Sequence, residues 1–131
     1  MNTQVIHQVA VATQEGKLTF PQAVGKLLEV GVESYCVDFA AGRKTYYATT
    51  GETVTEPMIL KLDSVAEEFS GADLVAAIRG AQADTVRYPE FVKRSTAAGV
   101  AGYWAFLTGK QVIYFGRKGE MHIEKFPGAR S

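Results

Sequence analysis

Residues 17–52 read KLTFPQAVGKLLEVGVESYCVDFAAGRKTYYATTGE, and residues 85–120 read TVRYPEFVKRSTAAGVAGYWAFLTGKQVIYFGRKGE. The two stretches align without gaps at an offset of 68 residues, and weaker similarity extends the match to residues 6–56 and 74–124. Eight of the 36 positions are identical, whereas ordinary residue frequencies give roughly two matches. These are Pro21/Pro89, Val24/Val92, Gly31/Gly99, Val32/Val100, Tyr35/Tyr103, Tyr46/Tyr114, Gly51/Gly119 and Glu52/Glu120. We therefore predict a tandem duplication of one unit, the alternative being an accidental match of two similar motifs.

Each unit is predicted to begin with two helices. Apolar residues at helical spacing in residues 5–12 and 74–81 indicate the first helix of each unit. Pro21 and Pro89 then indicate the start of the second helix, because proline is tolerated in the first turn only. The two units therefore share a helix-helix beginning.

The ends of the second helices carry recognisable capping signals. Thr19 and Gln22 have the spacing of a capping box, which the second unit lacks because Arg87 replaces the threonine. Gly31 and Gly99 are predicted to end the helices in the left-handed conformation that glycine adopts without strain.

After each of these glycines the pattern changes to β-branched and aromatic residues, which predicts three strands per unit. The predicted strands are 32–39, 44–49 and 53–56 in the first unit, and 100–107, 112–116 and 121–126 in the second. Between the units, Met58–Leu62 is interpreted as an extra strand. Ser64–Glu67 is interpreted as a capping box that opens a short helix before Gly71.

These elements predict an α+β fold in one domain, residues 1–131. Its parts are a first unit at about 1–57, a linker at 58–71 and a second unit at about 72–127. Two equal α-α-β-β-β units are expected to pack about a pseudo-twofold axis. We expect four helices on one face of an antiparallel or mixed sheet, because one unit alone buries too little apolar surface.

Composition and charge narrow the class of protein. Hydrophobic residues make up 47% and charged residues 21%, as in ordinary globular proteins. Basic and acidic residues are both 14, so no positive surplus supports nucleic-acid binding. Cys36 is the only cysteine, which excludes an intrachain disulfide and a cysteine-based metal cluster. No signal peptide or membrane-spanning run is recognisable, so we expect a cytoplasmic protein without membrane contact, metal or cofactor.

Four polar residues near the carboxyl end are the candidates for catalysis. Strand alternation would place Glu120, His122 and Glu124 on one face, with Arg117 nearby. A histidine between two carboxylates could act as a general base oriented by one of them. The first unit has Glu52 at the first of these positions and a second glutamate at the last, without the histidine, which favours a structural or solvent-facing stripe.

The candidates for ligand binding are mainly aromatic. Tyrosine and tryptophan keep a polar end, so a surplus of them can line a cleft, although core packing is the simpler role for each. Arg79 interrupts an apolar helix face and is a candidate for holding an anion. The aromatic candidates are Tyr35, Tyr46, Tyr103, Trp104 and Tyr114.

Two further residues are interpreted as having no role in function. Cys36 is interpreted as a packed side chain rather than a nucleophile, because free cysteines are among the most often buried residues. His7 is interpreted as a surface residue. No Gly-x-Ser-x-Gly, phosphate-binding loop or His-Glu-x-x-His occurs, so the hydrolase, nucleotide-binding and zinc-protease templates do not apply.

Four segments carry a resemblance to a known family. They are AIRGAQ at 77–82, YPEFV at 88–92, AAGVAGY at 97–103 and YFGRKGEMHIEKFP at 114–127. Together they resemble the YbcV/YdfO-like family of small bacterial and prophage proteins, DUF1398. The resemblance covers nearly the whole chain and implies a stand-alone cytoplasmic domain of unknown function, with no catalytic residues to transfer.

Two principal hypotheses of function follow. The first is a non-enzymatic binding or interaction module for an unknown small molecule or protein, with its site in the groove between the two units or on the sheet face that bears the surplus aromatic residues. The second is a small enzyme that uses His122 as acid or base, oriented by Glu120 or Glu124, with Arg79 or Arg117 holding an anion. A homodimeric structural protein is a third option.

Overall fold

The computed structural model describes residues 1–127, which form four helices and six strands in the order α-α-β-β-β, repeated once. The elements are α1 (Thr3–Gln14), α2 (Phe20–Glu29), β1 (Val32–Asp38), β2 (Arg43–Ala48), β3 (Thr53–Pro57), α3 (Gly71–Gln82), α4 (Tyr88–Ala97), β4 (Val100–Phe106), β5 (Gln111–Gly116) and β6 (Met121–Lys125). Every element of the second half begins and ends 68 residues after its equivalent in the first, as Gly71 follows Thr3. We call residues 68 apart counterparts.

The six strands form one antiparallel sheet in the order β3-β2-β1-β4-β5-β6. The α+β class is therefore confirmed, and the sheet is antiparallel rather than mixed. The two units join through β1 and β4, where Cys36 lies opposite its own counterpart Trp104. Strand order and register are thus symmetric about this pair, as a twofold relation between the units requires.

The helix ends follow the sequence signals. Thr19 Oγ1 accepts a hydrogen bond from Gln22 N at 3.3 Å, and Gln22 Oε1 accepts one from Thr19 N at 2.9 Å, which confirms the capping box. Arg87 makes no side-chain cap in the second unit. Gly31 and Gly99 have φ angles of +86° and +87°, as predicted. At Gly99 an added Cβ would also lie 2.2 Å from the Glu68 carbonyl oxygen, so a side chain does not fit there.

The extra strand predicted at Met58–Leu62 is wrong. Met58 N donates to Gly42 O at 2.8 Å, but the next two backbone donors do not continue a strand ladder. Ile59 N and Leu60 N both donate to Gln14 Oε1, at 2.6 and 3.2 Å. A buried glutamine of α1 thus supplies the acceptor that a neighbouring strand would otherwise provide.

The short helix predicted after Ser64 is also wrong, because residues 61–70 contain no helix. Ala66 N donates to Thr96 O at 3.0 Å, and Ser70 N donates to Ala98 O at 2.7 Å. Carbonyl groups at the C-terminal end of α4 therefore accept hydrogen bonds from backbone N–H groups that a local helix would use. Ser70 is the N-cap of α3, where its Oγ accepts from Asp73 N at 3.2 Å.

The two faces of the sheet differ in burial. Side chains that alternate along the strands form a core with the four helices on one face, which we call the covered face. The opposite face, which we call the open face, bears partly exposed side chains. The covered face includes Tyr35, Val37, Lys44, Tyr46, Tyr103, Ala105, Val112 and Tyr114; the open face includes Cys36, Thr45, Tyr47, Trp104, Phe106, Ile113 and Ile123. No helix within residues 1–127 has both the length and the apolar character to cross a bilayer.

Candidate functional site

A cavity of about 320 Å³ lies between the helices of both units and the covered face of the sheet. Its wall is mainly apolar, and both units contribute to it. Several lining residues are counterparts of one another: Leu18/Val86, Phe20/Tyr88, Ala23/Phe91 and Tyr35/Tyr103. The cavity therefore uses corresponding positions of the two units, although it extends further over the second.

One pair of unlike counterparts explains this asymmetry. Val112 lines the cavity, whereas its counterpart in β2 is Lys44. The Lys44 Nζ atom lies 4.4 Å from the centre of the Tyr88 ring and 6.0 Å from that of Tyr35. Phe20 is the counterpart of Tyr88, and Tyr103 is the counterpart of Tyr35; both line the cavity together with Val112. In the first unit, the long side chain of Lys44 thus fills a space. In the second unit, the equivalent space remains open beside the shorter Val112.

Hydroxyl groups supply the polar part of the inner wall. The hydroxyl oxygens of Tyr88 and Tyr103 are 2.7 Å apart and share a hydrogen bond. Burial raises the pKa of Tyr35, Tyr103 and Tyr114, and also that of Tyr88, well above the ordinary tyrosine value. All four hydroxyl groups are therefore protonated at neutral pH and able to donate hydrogen bonds.

Lys44 lies directly behind this wall and is only 2% exposed. Its register partner on β3 is Glu56, but that carboxylate is held by His7, whose Nδ1 is 2.6 Å from Glu56 Oε1. Among the ion pairs within residues 1–127, none includes Lys44. Burial lowers the pKa of Lys44 to about 7. Sequence reasoning missed this residue, although its position two residues before Tyr46 on a strand placed it on the covered face.

A polar cluster borders the cavity at β6. Glu124 lines the cavity and accepts hydrogen bonds from Arg79 Nη1 at 2.7 Å and Gln82 Nε2 at 3.4 Å. His122 Nε2 lies 3.1 Å from the second carboxylate oxygen. Burial raises the pKa of Glu124, but the hydrogen bonds from Arg79 and His122 outweigh it and hold the pKa below its ordinary value. The structure thus brings His122, Glu124 and Arg79 together.

Glu120 and Arg117 have other roles. Glu120 precedes β6, and its Oε1 accepts a hydrogen bond from Lys118 N at 2.9 Å within the β5–β6 turn. Backbone hydrogen bonds, from its own N–H first and then from Lys118, lower the pKa of Glu120. Gly116 N donates to Glu120 O at 2.8 Å, so Glu120 continues the alternation of His122 and Glu124, but its side chain is held in the turn rather than at Glu124. Arg117 Nη1 donates to Val65 O at 3.3 Å and so contacts the linker.

Two of the aromatic candidates lie outside the cavity wall. Trp104 is on the open face, where its ring centre is 5.5 Å from that of Tyr47 and 5.7 Å from that of Phe106. Tyr46 is 2% exposed, and its ring packs 5.3 Å from that of Tyr35. Cys36 is half-buried, and burial followed by the nearby Asp38 raises the pKa of its thiol, which disfavours the thiolate.

Fold and cavity together define a class, an α+β protein of two α-α-β-β-β units that share one apolar cavity. A family model described as "Protein of unknown function (DUF1398)" matches residues 8–125. The chain belongs to this family, as the resemblance of its segments indicated. No protein with a curated description matches the chain. The structure contains, within residues 1–127, no group of three or more His, Cys, Asp and Glu side chains suited to a metal ion.

Proposed function

We propose that this protein is a non-enzymatic binding module whose cavity takes a small apolar molecule. The observation that carries the proposal is the 320 Å³ cavity lined by counterpart residues of both units. Small-molecule sites in proteins occupy roughly 300–1,000 Å³ and are mostly apolar with a few polar groups. The wall here has that composition, with tyrosine hydroxyl groups as its inner polar part.

The rim of the cavity also supports a binding role. Phe20 lines the cavity with 37% of its surface exposed, and its ring stands at 88° to that of Phe126, with the ring centres 5.2 Å apart. Interiors are normally packed without voids of this size, so an apolar ligand would gain contacts that the free wall lacks.

Filling the cavity tests the proposal. Wild-type protein and the variant Val112→Phe would be titrated with octan-1-ol and indole, with binding followed by calorimetry and by the shift in melting temperature. Ile113→Phe is the matched control, because this neighbouring side chain is on the open face. We expect binding to wild type and the control but at least tenfold weaker binding to Val112→Phe.

Val112→Met provides a smaller filling change should the phenylalanine variant not fold. The proposal fails if neither compound binds wild type. It also fails if both filled variants melt cooperatively and bind as tightly as wild type does.

The second candidate is a small enzyme that uses His122 as general acid or base. The contacts from Glu124 to His122 and Arg79 favour it, since an acid or base needs an orienting partner. Binding remains the better supported function, because Glu124 lines the cavity whereas His122 does not. The variant His122→Gln separates the two, because the enzyme hypothesis requires loss of turnover of any bound compound without loss of binding.

Self-association is a separate proposal, drawn from the apolar side chains of the open face. Met121 and Ile123 there are 62% and 49% exposed. Sedimentation that shows a monomer at high concentration would exclude a homodimer.

A further inference from the structure

The tyrosine hydroxyl groups of the cavity wall have more protons than acceptors. Tyr88 and Tyr103 both line the cavity, and their hydroxyl groups share one hydrogen bond of 2.7 Å. Two hydroxyl groups carry two protons, so one O–H proton remains after this bond is made. A hydrogen bond between the hydroxyl groups of Tyr35 and Tyr103 would add one bond and one proton, so a single donor would still remain. An acceptor on a ligand would complete this hydrogen bond, which is favourable because an unpaired buried polar group is costly.

Within residues 1–127, the charges around the cavity leave one buried cation without an ion-pair partner. At the rim, Arg87 Nε lies 3.0 Å from Asp84 Oδ1, and Glu124 is held by Arg79. Lys125 also lines the cavity but is exposed to solvent. Lys44 alone is buried, and its Nζ lies against the Tyr88 ring that forms part of the wall.

Building on the proposed function, we propose that the ligand is an apolar carboxylic acid bound as its anion. Its carboxylate accepts the hydrogen bond that the Tyr88–Tyr103 pair has left to donate, and the Lys44 ammonium behind Tyr88 balances its charge. The apolar body then occupies the space beside Val112. Charge balance of this kind needs no direct contact, because Coulomb attraction extends over several ångströms in an apolar interior.

A dependence on pH follows. In the free protein the pKa of Lys44 is about 7, and a bound anion favours its charged form. The affinity for a carboxylate should therefore be highest just below pH 7 and fall above it, by up to about tenfold for each pH unit. The groups that face Lys44 are Tyr35, Tyr88 and Glu56, the last of which is bound by His7.

The test compares octanoate with octan-1-ol, which has the same chain without the charge. Affinities would be measured by calorimetry at about pH 6 and about pH 8.5 for wild type, Lys44→Met and the control Lys26→Met, whose lysine is exposed on α2 and does not line the cavity. For wild type we expect octanoate to bind at least tenfold more tightly at the lower pH and octan-1-ol to bind equally at both. In Lys44→Met the preference for octanoate and its pH dependence should disappear, whereas Lys26→Met should keep both.

The other outcomes are distinguishable. Octanoate binding that is independent of pH, or that weakens equally in Lys26→Met, overturns the role of Lys44, while octan-1-ol binding preserves the proposed function. If neither compound binds wild type, both proposals are wrong. Should Lys44→Met not fold, the variant His122→Gln decides, because it removes the histidine nearest the cavity without touching Glu56. Retained pH dependence in this variant supports Lys44, and its loss overturns the inference.

Discussion

Lys44 shows how a single side chain sets both the shape and the chemistry of the site. It is 2% exposed on the covered face, where its register partner Glu56 is held by His7. A buried ammonium group without a close carboxylate is costly, which is why burial lowers its pKa. Strongly perturbed pKa values cluster at functional sites, where they serve binding or catalysis.

Replacing this lysine should change how stability depends on pH. The pKa of Lys44 is about 7 in the folded protein against 10.5 for a free lysine, so between these values the unfolded chain binds more protons. The free energy of unfolding should therefore rise from about pH 7 to pH 10 in wild type. At pH 7 Lys44→Met should be more stable than wild type by about 2 kcal/mol or more, since a full shift of this size corresponds to about 5 kcal/mol.

Urea unfolding at about pH 7 and pH 9.5 measures this difference. Lys26→Met is the matched control, because Lys26 is exposed on α2 and should leave the pH dependence of wild type unchanged. Equal rises in stability with pH for wild type and Lys44→Met would contradict the prediction.

Gly31 and Gly99 are counterparts with nearly the same φ angle but different surroundings. An alanine Cβ at Gly31 would have no atom within 4 Å, whereas at Gly99 it would lie 2.2 Å from Glu68 O. Gly31→Ala should therefore cost only the left-handed strain of about 1–2 kcal/mol. Gly99→Ala should cost at least about 2 kcal/mol more, because the linker backbone has to move. Urea unfolding of the two variants gives the difference, and equal losses would show that the linker does not constrain Gly99.

At the scale of the elements, the sequence predicted what depends on local chemistry. The helix pairs, the caps predicted for the second helices and the three strands of each unit were correct to within about three residues, because periodicity, proline and glycine act over a few positions. The strand and helix predicted within residues 58–70 were wrong because backbone N–H groups there donate to distant acceptors, including Gln14 Oε1 and Thr96 O. Local patterns carry no information about such tertiary partners.

Gln14 gives a test of that explanation. It is 2% exposed, and its Oε1 accepts from Ile59 N and Leu60 N, so Gln14→Leu leaves two backbone donors without their acceptor. We expect a loss of about 2–4 kcal/mol and faster hydrogen exchange at both amides. The counterpart variant Gln82→Leu should cost less than about 1 kcal/mol, because Gln82 is exposed. Unchanged exchange at residues 59 and 60 in Gln14→Leu would refute this role of the glutamine.

At the scale of the whole molecule, the offset of 68 residues predicted the repeated element order but not which side chains border the cavity. Tyr35 and Tyr103 were candidates for ligand binding, and both line the cavity, whereas the candidate Trp104 is on the open face. The position of the cavity depends on side-chain volume at Lys44 and Val112. The sequence shows that Lys44 and Val112 differ, but the effect on the cavity depends on how helices of one unit pack over strands of the other.

Because the two units have the same architecture, exchanging the residues at positions 44 and 112 should move the cavity from one unit to the other. Lys44→Val gives the first unit the residue that borders the cavity in the second, so it should open a second apolar space beside Tyr35 and Tyr88. We expect calorimetry with octan-1-ol to give two bound molecules per chain for this variant and one for wild type. Val112→Lys should conversely close the existing cavity, and the double variant Lys44→Val/Val112→Lys should bind one molecule on the opposite side. A stoichiometry of one for Lys44→Val, with an intact melting transition, would mean that neighbouring side chains collapse into the vacated volume, as cores often do in part.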